Sequence, residues 1–153
     1  MDMLITPAEV VAMAFSREEL VNKDVVTTLD ILEAEECHIK PILGEALYEA
    51  LLAQRYASLL NDYVVPALVA WCRYVIQPHI DSRCHVCHVS QSRTAAENDH
   101  DREMRPLLRR KALILSRRLS NHLNDNCDDY PEYNPLNNPL NRCSIYGDII
   151  QVR

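Results

Sequence analysis

Apolar residues recur at helical spacing through most of this chain, and the places where they stop recurring divide it. Val25, Leu29, Leu32, Ile39 and Leu43 fall at i, i+4, i+7, i+14 and i+18, one face of an α-helix. This predicts a long helix from Lys23 or Asp24 to Leu43, stopped by Pro41 and Gly44. Gly44 is one of only two glycines, so its place at the corner points to a backbone demand. Upstream, Thr6-Pro7-Ala8-Glu9 has the residues of a capping box with proline at the first helical position, predicting a short helix Pro7–Ala14. Ser16-Arg17-Glu18-Glu19 offers a second box. Beyond the corner, Glu45–Leu52 reads as helix and Tyr56–Leu60 as a further turn.

Asn61-Asp62 predicts the cap of a helix running from Tyr63 to about Ile80. Between Val64 and Ile76 its only charge is Arg73, so it reads as a core helix apolar all round, with Trp71 and Tyr74 as bulky packing groups. From Asp81 to about residue 95 the helical period fails. Cys84, Val86 and His88 alternate with His85, Cys87 and Val89, which predicts a small β-hairpin. Thr94 or Asn98 opens a last long helix to about Asn124. Its apolar stripe is Met104, Leu108, Ala112, Leu115, Leu119 and Leu123. Arg102, Arg105, Arg109, Arg110, Lys111, Arg117 and Arg118 lie on its outer faces.

After Asn126 the pattern becomes turn-rich. Asn134-Pro135-Leu136-Asn137 is repeated at once as Asn138-Pro139-Leu140-Asn141, and Asn-Pro steps disfavour helix. Ser144–Val152 reads as a short strand. The prediction is a mostly α protein: a helical bundle core over 1–125, a small β-hairpin at about 81–95, and an extended Asn/Pro-rich arm over 126–153. Such an arm is too poor in apolar residues to fold alone and needs tying down, for instance by a neighbouring subunit.

Composition agrees with helices. The chain has 153 residues, enough for one domain with a core, and 48% are apolar. Two glycines in that length argue against a turn-rich β-fold and leave no glycine-rich phosphate loop. The net charge is −6, from 22 acidic and 16 basic residues, a poor basis for tight general DNA binding. No basic-then-apolar leader is seen at Met1–Pro7, and the longest apolar run, Val64 to Cys72, is about half of a membrane span. Six cysteines in a chain made in the cytosol are expected to be thiols.

Several pieces resemble one family. Ala34-Glu35-Glu36, then Ile39-Lys40-Pro41-Ile42-Leu43-Gly44, then Ala46-Leu47-Tyr48 resemble the head–tail connector (head-completion or adaptor) proteins of tailed bacteriophages. Asn61-Asp62-Tyr63-Val64-Val65-Pro66 resembles their entry to the central helix, and Asp129-Tyr130-Pro131-Glu132-Tyr133 their exit from the last one. The order and spacing of the elements match over most of the chain. At the hairpin, where relatives usually have glycine, this chain has its Cys/His cluster. The resemblance implies a virion structural protein assembled in the host cytoplasm, in a homo-oligomeric ring of usually twelve copies below the portal protein. The ring would carry tail or further head-completion proteins and extend a channel through which DNA passes without sequence-specific binding. It implies no enzyme, no cofactor and no membrane. Ring contacts are heterologous, so unlike faces must match. Interface candidates are Arg105, Arg109, Arg110 and Arg117, expected to meet an acidic row of Asp30, Glu33, Glu35 and Glu36 either within a subunit or across a ring interface, together with Tyr130, Tyr133, Ile149 and Ile150.

Other chemistry is weaker. Cys84-His85-Val86-Cys87-His88 has the spacing of covalent haem attachment, but without an export signal. As a zinc half-site, Cys84 and Cys87 with His85 or His88, and His79 or His100 in reserve, define a small zinc-binding interaction module as the alternative reading. On a flat strand the two thiols would point to opposite faces. Asp99-His100-Asp101 is explained by helix capping, and no nucleophile sits in a catalytic setting.

Overall fold

The computed structural model describes residues 3–15, 25–87, 95–146 and 149–152, with side chains placed in 3–15, 25–80 and 104–142. It is mostly helical. Helix α1 (Pro7–Ala14) begins as its sequence predicts: the Thr6 side chain accepts from the Glu9 N–H, and the Glu9 carboxylate accepts from the Thr6 N–H at 2.7 Å. The second predicted capping box, at Ser16, lies outside the described residues.

The first long helix starts later than its apolar spacing suggested. Helix α2 (Thr28–Ala34) is capped by a Thr27/Asp30 box, with the Thr27 N–H donating to Asp30 Oδ2 at 2.8 Å. A π turn (Glu35–Ile39) follows, then α3 (Lys40–Leu43). The π turn adds one residue to a helical turn and so shifts the phase of everything before it. Leu29, expected on the apolar face, is 73% exposed, while Ile31 and Ala34 are fully buried. A second π turn (Leu60–Val64) joins α5 (Ala57–Leu59) to α6 (Val65–Cys87), so Asn61 and Asp62 lie inside a wide helical turn rather than capping a new helix. In both cases the closing bond spans five residues, Lys40 N–H to Glu35 O and Val65 N–H to Leu60 O, and the next residue is proline. A proline ring crowds the carbonyl four residues back and offers no N–H, and a widened turn relieves both. Pro78 and Pro106 are carried inside α6 and α7 without such a turn, so the ring permits it and does not compel it.

Gly44 makes the corner between α3 and α4 (Glu45–Leu52) at φ +78°, ψ 160°, a region essentially closed to other residues. Nothing lies within 4 Å of where a Cβ would stand, so backbone geometry and not space requires the glycine.

Helix α6 is the centre of the bundle, packed by α1, α2 and α7 (Ala95–Asp125). Val64, Ala67, Leu68, Cys72 and Ile76 are fully buried, and Trp71 is nearly so. The stretch Ala57–Ile80 is long and apolar enough to cross a membrane, and it is mostly covered by the other helices. The expected hairpin is not seen among the described residues of the stretch 81–95. α6 stays helical through Cys87, and 88–94 lie outside the described residues. Six alternating residues are a weak strand signal beside a helix already formed, where each further residue adds a hydrogen bond. Among the described residues the one β element is a two-stranded antiparallel ribbon at their C-terminal end. It joins β1 (Cys143–Tyr146) to β2 (Ile149–Val152), with Ile145 opposite Ile150.

Candidate functional site

Helix α7 divides its surroundings into two flanks. Its buried stripe is Ala112, Ser116, Leu119 and Leu123. Each residue turns the helix by about 100°. Ser120 and Asn124 therefore lie to one side of the stripe, and Leu108, Lys111 and Leu115 to the other.

The first flank is covered by the residues 126–142, which form a strap on their own bundle rather than an extended arm. Asn138 is its centre, 1% exposed. Its amide donates to Ser120 Oγ and to Tyr133 Oη, each at 2.8 Å, and its carbonyl accepts from the Leu140 N–H at 2.9 Å. Tyr133 donates to Asn124 Oδ1 at 2.8 Å, and Asn124 and Asn141 exchange amide bonds at 2.8 and 2.9 Å. Every polar group in this knot has a partner, which is what allows it to be buried. Higher up, Tyr56 and Arg55 both hold Glu132, at 2.8 and 2.7 Å. The Tyr56 hydroxyl, ahead of Arg55, keeps the Glu132 carboxyl below its ordinary range. His122 stacks on Tyr63 with ring centres 3.9 Å apart and lies 3.1 Å from the Tyr130 hydroxyl. Tyr130 and Tyr133, read from sequence as interface residues, are buried in their own chain.

The second flank is open. Met13, Val69, Ala70, Leu108, Lys111 and Leu115 line a groove of about 230 Å³ between α1, α6 and α7, and Met13 is 57% exposed.

The exposed cations of α7 have no carboxylate partners among the described residues. Arg105 lies over the Tyr74 ring at 5.0 Å and Arg118 over Tyr63 at 5.0 Å. Arg109 borders a cavity beside His38, where burial first and Arg109 second hold the imidazole below its ordinary pKa. Arg110 and Arg117 are exposed. The acidic row does not meet them within the chain. Asp30 caps α2, Glu36 pairs with Lys40 at 3.0 Å, and Glu33 is exposed. Glu35 is not on that row at all: it is fully buried. It accepts from the Leu4 N–H at 2.9 Å and the Tyr48 hydroxyl at 2.7 Å. Burial raises its pKa against those two bonds and, with Glu35 nearby, pushes the Cys72 thiol to about 12.

Residues 39–142 match DUF6712, described as a family of unknown function. The chain belongs to that family. No curated protein and no solved structure matches it. In this DUF6712 chain the matched stretch takes in the Gly44 corner, α6, α7 and the strap. It leaves out Glu35, α1 and the ribbon.

Two groups of candidates are placed only in outline. Ile149 and Ile150 stand on β2. Cys84, His85 and Cys87 are helical positions at the end of α6, and His88 lies outside the described residues. Among the described residues no three His, Cys, Asp or Glu side chains gather as a metal site. The polar knot escaped the sequence reading, although the doubled Asn-Pro-Leu-Asn was its visible sign.

Proposed function

We propose that this protein is a head–tail connector of a tailed bacteriophage, a structural protein whose copies close into a ring beneath the portal. The ring, of twelve copies in the connectors it resembles, extends the DNA channel and docks tail or head-completion proteins. It works without catalysis or cofactor, in the virion after assembly in the host cytoplasm, and away from membranes.

One observation carries the reading beyond the order of the elements. The arginines of α7 find no carboxylate within the chain among the described residues, while Glu33 is exposed on another helix. A surface with a basic face and a separate acidic one is what a heterologous, ring-closing contact uses. The net negative charge suits a conduit that DNA passes without sticking.

The test is native mass spectrometry of protein purified without chelator, alone and with a candidate portal protein. A ring-sized mass without adduct supports the connector. A monomer carrying one zinc and indifferent to the portal overturns it in favour of a Cys84–His88 zinc module. Arg109→Glu with Arg110→Glu should weaken assembly at moderate salt.

A further inference from the structure

The chain carries one docking motif twice and uses it once. Asn134 and Asn138 each accept an N–H two residues on, from Leu136 at 3.0 Å and Leu140 at 2.9 Å, so both copies of Asn-Pro-Leu-Asn form the same side-chain-closed turn. The second copy shows how the turn seats. It packs between α3 and α7, and Leu140 leans on the core. The first copy presents the same turn to solvent, with Leu136 84% exposed. A large apolar side chain held out on a rigid turn is costly in water unless something covers it.

We infer that Leu136 of one copy inserts into the groove of Met13, Val69, Leu108 and Leu115 on a second copy of this chain. The inference rests on the connector reading for its ring geometry. Three observations select this occupant. The groove, like the seat of Leu140, is a largely apolar furrow beside α7 with an arginine in its wall, Arg73 here and Arg109 there. Strap and groove flank opposite sides of the buried stripe of α7, so a contact joining them repeats head to tail and does not pair the same face with itself. The charges also match. The strap exposes Asp128 and Asp129, and the groove is lined by the cations Lys111, which is exposed, and Arg73. Because the turn is already closed by its own hydrogen bonds, little conformational freedom is lost on docking.

Photo-crosslinking decides it. p-Benzoylphenylalanine is placed at position 136, where substitution leaves the fold alone, and the full chain is irradiated with and without portal protein. Intermolecular adducts are expected on peptides containing Met13, Val69 or Leu108–Leu115. Adducts confined elsewhere, or none, overturn the inference. In parallel, Leu136→Asp should weaken self-association by about tenfold or more. A ring that forms equally well with Leu136→Asp sinks the groove contact and leaves the connector reading standing. Adducts at Met13 in a protein that never forms a ring keep the groove contact and sink the connector.

Discussion

Two identical tetrapeptides, side by side in the chain, end in opposite environments. Asn138-Pro139-Leu140-Asn141 is built into a polar knot against α7, and Asn134-Pro135-Leu136-Asn137 stands in solvent. Both make the same turn, because that needs only an Asn side chain and the N–H two residues later. What separates them is reach. Asn138 meets Ser120 and Tyr133, whereas Asn134 bonds only its own turn, to Leu136 and through its carbonyl to Asn137. Local sequence sets the shape of a turn, and the helix beneath it decides whether that turn stabilises the fold.

The contrast can be broken by substitution. Asn138→Ala removes two side-chain donations and a turn-closing acceptor from a buried site and should cost about 2–4 kcal/mol in denaturant unfolding. Asn134→Ala should stay within about 0.5 kcal/mol. Equal losses would mean that the knot is not what holds the strap.

Glu35 tests the same idea away from the repeat. Glu35→Gln should cost about 1–3 kcal/mol near neutral pH, because the amide can accept only one of the two donors well. The pH trend has a definite sign. Burial holds the folded pKa above the ordinary glutamate value of 4.5, so the native state binds more protons than the unfolded chain just above pH 4.5. Stability from this group therefore falls as pH rises through that window. The advantage of wild type over Glu35→Gln should be larger at about pH 4 than at about pH 7, read from denaturation midpoints. A larger advantage at neutral pH would contradict the assignment.

At the leucines the gap narrows. Leu140→Ala should cost about 1–2 kcal/mol, since the side chain is only partly buried, while Leu136→Ala should leave monomer unfolding unchanged within about 0.5 kcal/mol. Thermal melts of the two at low concentration make the comparison.

The same contrast explains what could be read in the chain beforehand. The Thr6 box, the Gly44 corner and the apolar α6 are local patterns that stand where their spacing put them, as do Ala112, Leu119 and Leu123 of the α7 stripe, whereas Leu108 and Leu115 line the open groove and Met104 is only partly buried. The face of α2 was misread because Val25, Leu29 and Leu32 were counted at an unbroken helical period, and the π turn breaks it. Glu35 looked like its acidic neighbours for the same reason. Ser120 and Asn124 carried no signal of their own, because a polar residue on a helix reads as exposed until its partner eighteen or so residues on is known to fold back.

The π turn at Glu35–Ile39 also bears on how this gene can change. It is in effect an extra residue that the helix has absorbed. Deleting one codon there would restore an unbroken α-helix and swing all preceding positions by about 100° about its axis. Ile31 would leave the core and the carboxylate that anchors Leu4 would turn to water. Substitutions at exposed Cys37 should be tolerated, yet its loss should not be.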